Sequence, residues 1–129
     1  MLKGTFFKID RLTRLENEPG HGVESERYLA EIKLNPEHQI YQGHFPGNPA
    51  VPGVCQIRMI TEILSEIEER EVKLKEADNV KFLSMINPHD HPALEVTLTL
   101  KHTAHRKINV NASIADGGQL FFKYKSSFK

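Results

Sequence analysis

Within the stretch GHFPGNPAVPGV, residues 43–54, one titratable side chain, His44, sits among prolines and glycines. An imidazole is the side chain best matched to taking and returning a proton near neutral pH. His44 is therefore the candidate base, able to reach the α-proton of a bound acyl group; the alternative is that it only ties the loop through a hydrogen bond. Pro52 suits a first helical position, which puts the Gly53 and Val54 N–H groups at a helix N-terminus. Unpaired donors and a partial positive charge there can polarise a thioester carbonyl and hold the enolate-like charge that develops on it. Cys55, in the same turn, invites a nucleophile reading through the helix dipole, but a lone cysteine in an apolar helix is more often buried filling. Tyr41 and Phe45 flank the loop, where they can line an acyl tunnel or simply pack.

The elements around this loop follow from periodicity. TFFKID reads as a short strand, and SERYLAEIKL as a half-buried one, with Tyr28, Ala30, Ile32 and Leu34 on one face. Three Pro and three Gly in YQGHFPGNPAVPG forbid regular structure and demand a shaped loop. Beyond Pro52 no breaker appears until Asp78-Asn79, and Val54, Ile57, Ile60, Ile63, Leu64 and Ile67 form an apolar stripe, so one long helix is expected. From Glu66 onward charge dominates, which reads as wetter final turns and a solvated face. VKFLSMI, ALEVTLTLKHT and KINVNASIA then read as strands, with Leu94, Val96, Leu98, Leu100 and Ile108, Val110, Ala112, Ile114 in alternation. Asp116-Gly117-Gly118 is a hairpin turn into QLFFKYKSSF. Five or six strands joined by tight turns around one helix predict an α+β hot-dog fold, an antiparallel sheet wrapped on a central helix.

Composition limits the partners. At 129 residues, with no linker or repeat, residues 1–129 form one domain. A chain this short buries only about two-thirds of its unfolded surface, so an oligomer is expected. Lys+Arg and Asp+Glu both number 17, giving no net field toward nucleic acid or an anionic membrane. One cysteine, no signal-peptide pattern and no spanning run point to a cytoplasmic protein. His89, Asp90 and His91, with His102 and His105 further on, raise a metal-site reading, but their spacing matches no zinc pattern, and a surface turn is the simpler account.

GHFPGNPAVPGV closely resembles the HFPG…PG signature of the β-hydroxyacyl-acyl-carrier-protein dehydratases, and the order of elements fits that family over nearly the whole chain. The resemblance implies a hot-dog protein whose active sites lie at dimer interfaces, with His44 as the base and the amides near Gly53 and Val54 binding the thioester oxygen. It implies 3-hydroxyacyl thioesters of acyl carrier protein or coenzyme A as substrates, and no metal or redox cofactor. There is one departure. Where the family carries Glu or Asp on the helix, five residues after the second PG glycine, this chain has Arg58. A guanidinium keeps its proton and cannot exchange it as a carboxyl does. Glu62, one turn later, can stand in as the acid or pair with Arg58. Alternatively a related hot-dog subunit supplies the acid in a heterodimer, or the chain is a binding subunit or thioesterase in which Arg58 holds an acyl or phosphopantetheine group.

Overall fold

The computed structural model describes residues 1–16 and 25–129. Among these, six strands and one long helix form: β1 (Phe7–Leu15), β2 (Ser25–Leu34), α1 (Gly53–Glu68), β3 (Leu74–Phe82), β4 (Ala93–His102), β5 (Ile108–Asp116) and β6 (Gln119–Phe128). All pairings are antiparallel, in the order β1-β2-β4-β5-β6-β3. This is the hot-dog architecture. The alternation read from the sequence holds apart from Tyr28, which is half-buried: Ala30, Ile32 and Leu34, then Leu94, Val96, Leu98 and Leu100, then Ile108, Val110, Ala112 and Ile114 are buried. Their common face packs with Met59, Ile60, Ile63 and Leu64 of α1 in one core. Gly117, at φ +58°, makes the β5–β6 turn in a conformation that a Cβ disfavours.

Two expectations are corrected. The helix ends at Glu68, well short of Asp78, because Glu69 turns left-handed (φ 55°, ψ 34°) and the Arg70 N–H closes on the Ser65 carbonyl at 3.2 Å. Residues 74–79, expected in or just after that helix, instead extend as the first part of β3, with Asp78 and Asn79 at a register shift against β6. Glu, Lys and Arg are good helix formers, but beyond Ile67 no apolar stripe holds them to the core, whereas the free edge of β6 offers a ladder of backbone partners. The helix is also rotated from the expected stripe. Cys55, Gln56, Met59, Ile60, Ile63 and Leu64 face inward, while Val54 is 77% exposed and Ile57 only half-buried.

Candidate active site

The loop is built from hydrogen bonds to its own backbone. The His38 side chain accepts the Ile40 N–H at 3.1 Å and starts a 3-10 turn over Gln39–Gln42, which buries Tyr41 beside Phe6. His44 follows, half-buried. Its carbonyl accepts the Ala50 N–H at 3.1 Å, and its Nδ1 lies 3.2 Å from the Ala50 carbonyl oxygen. A carbonyl can only accept, so Nδ1 donates to it and Nε2 keeps the lone pair of the neutral ring. The Phe45 ring stacks on the imidazole with centroids 4.1 Å apart. Gly47, at φ +76°, turns the chain so that the Asn48 N–H reaches the Phe45 carbonyl at 3.0 Å. Val51 then donates to the Ile86 carbonyl at 2.9 Å and accepts from Gln56 Nε2 at 3.2 Å.

Helix α1 starts directly behind this loop. Pro52, in extended conformation, supplies no side-chain cap; its carbonyl takes the N–H groups of Cys55 and Gln56 at 3.0 and 3.1 Å. The donors of Gly53 and Val54 come before those, in the turn where no helical carbonyl lies behind. Gly53 has a steric reason to be glycine, since a Cβ there would lie 2.7 Å from Phe82 Cζ. Phe82, at the end of β3, stacks on Phe122 at 4.8 Å and is still 52% exposed, so its ring forms a wall at the helix start. No periodicity or motif in the chain points to this contact.

Further along α1 the structure pairs the two residues whose roles were open. Arg58 Nε donates to Glu62 Oε2 at 3.0 Å. The buried Glu62 carboxylate also accepts the Leu2 N–H at 2.8 and 3.0 Å and the Lys3 N–H at 2.8 Å. Lys3 reaches Glu66 as well. The helix therefore fastens the first residues of the chain through Glu62 and Glu66. Arg58 borders a cavity of about 370 Å³ with Glu62, Thr61 and Ser65, and a groove of about 440 Å³ with Val54, Ile57 and Leu74. The groove brings Arg58 onto the same surface as Val54, and His44 does not line it.

The remaining candidates fall elsewhere. Cys55 is buried, and burial pushes its thiol pKa up, against a resting thiolate. Burial, with Cys55 nearby, also drives the Tyr41 phenol far above its ordinary range. His89, Asp90 and His91 form a turn, with the Asp90 and His91 N–H groups on the Asn87 carbonyl and the His89 N–H on Asn87 Oδ1; His91 Nδ1 meets Asp116 at 2.7 Å. His102 lies between Glu26 (3.1 Å) and Glu68 (2.9 Å), and His105 is exposed. Among the described residues no cluster of His, Cys, Asp and Glu is arranged to hold a metal ion, and no helix is long and apolar enough to cross a membrane.

Known proteins are similar to this chain in sequence and in fold. A family model described as ApeI-like, ApeI dehydratase, matches residues 20–121. The chain is 34% identical to a 3-hydroxyacyl-[acyl-carrier-protein] dehydratase FabZ from Natranaerobius thermophilus, covering 88% of this chain and 83% of the relative. It is 32% identical to the FabZ of Oenococcus oeni, covering 91% and 87%. Among solved structures it is similar to the dehydratase heterocomplex ApeI:P from Xenorhabdus doucetiae, with a TM-score of 0.58, 17% identity and coverage of 92% and 97%. It is also similar to the putative thioesterase yhdA from Lactococcus lactis, with a TM-score of 0.69, 12% identity and coverage of 99% and 94%.

Proposed function

The chain belongs to the ApeI-like, FabZ-related dehydratases, and we propose that it removes water from a 3-hydroxyacyl group held as a thioester on acyl carrier protein or coenzyme A, with His44 as the base. The observation that carries this reading is the Nδ1 hydrogen bond to the Ala50 carbonyl, which leaves the Nε2 lone pair to take a proton. In the proposed reaction Nε2 takes the proton from the carbon next to the thioester carbonyl. The electron pair of that C–H bond forms the new C=C bond as the C–O bond to the hydroxyl breaks, and the hydroxyl leaves as water with the proton returned from the imidazolium. The amides of Gly53 and Val54 stabilise the charge that builds on the carbonyl oxygen. Phe45 and Phe82 flank the acyl group, and Arg58, held at Nε by Glu62, turns its outer nitrogens to the substrate or its carrier. In this reading Glu62 orients Arg58, since its oxygens already accept from Leu2, Lys3 and Arg58.

A second reading has the acid come from a partner. Arg58 stands where the family carries an acid, β3 is an uncovered edge exposed along its whole length, and a structural neighbour is a dehydratase heterocomplex. The chain then works as a heterodimer with a related hot-dog subunit that supplies the carboxyl, whereas a homodimer through β3 would bring a second Arg58 and belongs to the first reading.

The test is water loss from a 3-hydroxyacyl thioester, followed by enoyl absorbance, with His44→Ala and Arg58→Glu alongside. Wild-type activity lost in His44→Ala supports the first reading. A silent wild type that gains activity in Arg58→Glu, or on mixing with an acid-bearing subunit, supports the second. No turnover under any of these conditions overturns both.

A further inference from the structure

We propose that Gln56 is a positioning residue for His44: its buried carboxamide braces the Ala50–Val51 segment, whose carbonyl sets the imidazole tautomer. This rests on the reading of His44 as base. Gln56 is only 3% exposed, in the first turn of α1, with Cys55, Met59 and Ile60 buried around it. Its Nε2 donates to the Val51 carbonyl at 3.2 Å, and the Val51 N–H donates to the Ile86 carbonyl at 2.9 Å. The preceding residue is bound the same way to a different partner: Ala50 N–H meets the His44 carbonyl at 3.1 Å, and the Ala50 carbonyl takes His44 Nδ1 at 3.2 Å. Such alternation of partners is the pattern of an extended segment, in which neighbouring residues direct their N–H and C=O groups to opposite sides. His44 therefore grips the segment from one side, while Gln56 and the chain after β3 grip it from the other.

The choice of residue supports a role beyond packing. Among the described residues no donor reaches Gln56 Oε1, so half of the amide is buried without a partner. That is unfavourable, and an apolar side chain of similar length would avoid it. What the amide adds is one N–H to a buried carbonyl, one residue from the carbonyl that the catalytic imidazole uses. Losing that bond frees Val51 to shift, and with it Ala50 and the His44 ring. A displacement of about 1 Å at a reacting group is enough to slow chemistry on the order of a hundredfold.

Gln56→Met keeps the volume and removes the donor. Gln56→Glu can still donate from a protonated carboxyl, the form that burial favours. Cys55→Ala truncates the core in the same turn and serves as the control for simple loosening. The ¹⁵N shifts of the His44 imidazole report its tautomer directly, and kcat and KM are read on the 3-hydroxyacyl thioester. In wild type and Cys55→Ala the neutral ring carries its proton on Nδ1. In Gln56→Met the tautomers mix, and kcat falls about tenfold or more with KM changed less than about twofold. Gln56→Glu keeps the wild-type tautomer where its carboxyl is protonated and the imidazole is neutral, and loses it as the carboxyl ionises, so it carries the test alone if Gln56→Met does not fold. An unchanged tautomer in Gln56→Met, or the same change in Cys55→Ala, overturns the proposal. A kcat that ignores a changed tautomer, or no turnover by the wild type even with an acid-bearing subunit, counts against His44 as base and leaves the bracing claim to the ¹⁵N result.

Discussion

At the scale of single residues, hydrogen bonds decide what each group near the loop can do. His44 was legible in the sequence because it is the one titratable group in a Pro/Gly run, and only a few chemistries use such a placement. Gln56 and Phe82 were not, because their contacts join residues far apart in the chain, Gln56 through the loop to Ile86 and Phe82 to Gly53. Tyr41 gives a pH prediction. Burial first, and Cys55 second, raise its folded pKa well above the ordinary value of 10.0, so as pH climbs the unfolded chain gives up this proton before the folded one does. The stability tied to that proton is complete below about pH 10 and drains away as pH rises beyond it. Tyr41→Phe should flatten this alkaline loss in urea titrations at pH 7 and 10.5. At pH 7 it should change stability by less than about 0.5 kcal/mol, because the hydroxyl has no hydrogen-bond partner among the described residues. The burial-raised phenol of Tyr124 acts in the same sense and leaves a residual slope in the variant.

At the scale of elements, α1 carries the proposed oxyanion donors at its start and fastens the first residues of the chain further along. Glu62→Ala should cost about 2 kcal/mol in denaturant unfolding, since it leaves the Leu2 and Lys3 N–H groups without their acceptor. Arg58→Ala should cost less than about 0.5 kcal/mol, because the guanidinium is half exposed and Glu62 keeps its backbone donors. A larger loss from Arg58→Ala than from Glu62→Ala would mean that the ion pair, not the amide contacts, holds this part together. The strands with strict alternation read correctly from sequence because each has one dry face. Residues 69–79 did not: 69–73 leave the helix as a turn and connection, and 74–79, whose composition favours a helix, are fixed as strand by the edge of β6; local propensity yields to a partner distant in the chain. The apolar stripe was misplaced for a related reason. Val54 and Ile57 have core-like side chains but face the groove beside Arg58.

At the scale of the molecule, β3 is exposed throughout, and Phe82, Leu83 and Met85 continue an apolar surface past its end. Such an edge invites pairing with another chain. Leu83→Glu with Met85→Glu should turn an associated species into a monomer in sedimentation, with helix content unchanged in circular dichroism. A wild type that sediments as a monomer at high concentration would remove the basis for a site shared between subunits. The strand order also fixes a sequence of events in folding. β3 is made before β4 and β5, yet its ladder partner is β6, so Phe82 must wait about forty residues of synthesis for Phe122 to pair with it. On the ribosome β1, β2, β4 and β5 can assemble in order while β3 hangs unpaired. The wall over Gly53 closes only when β6 arrives, so a nascent chain holds its loop and helix well before the surface at the helix start is complete.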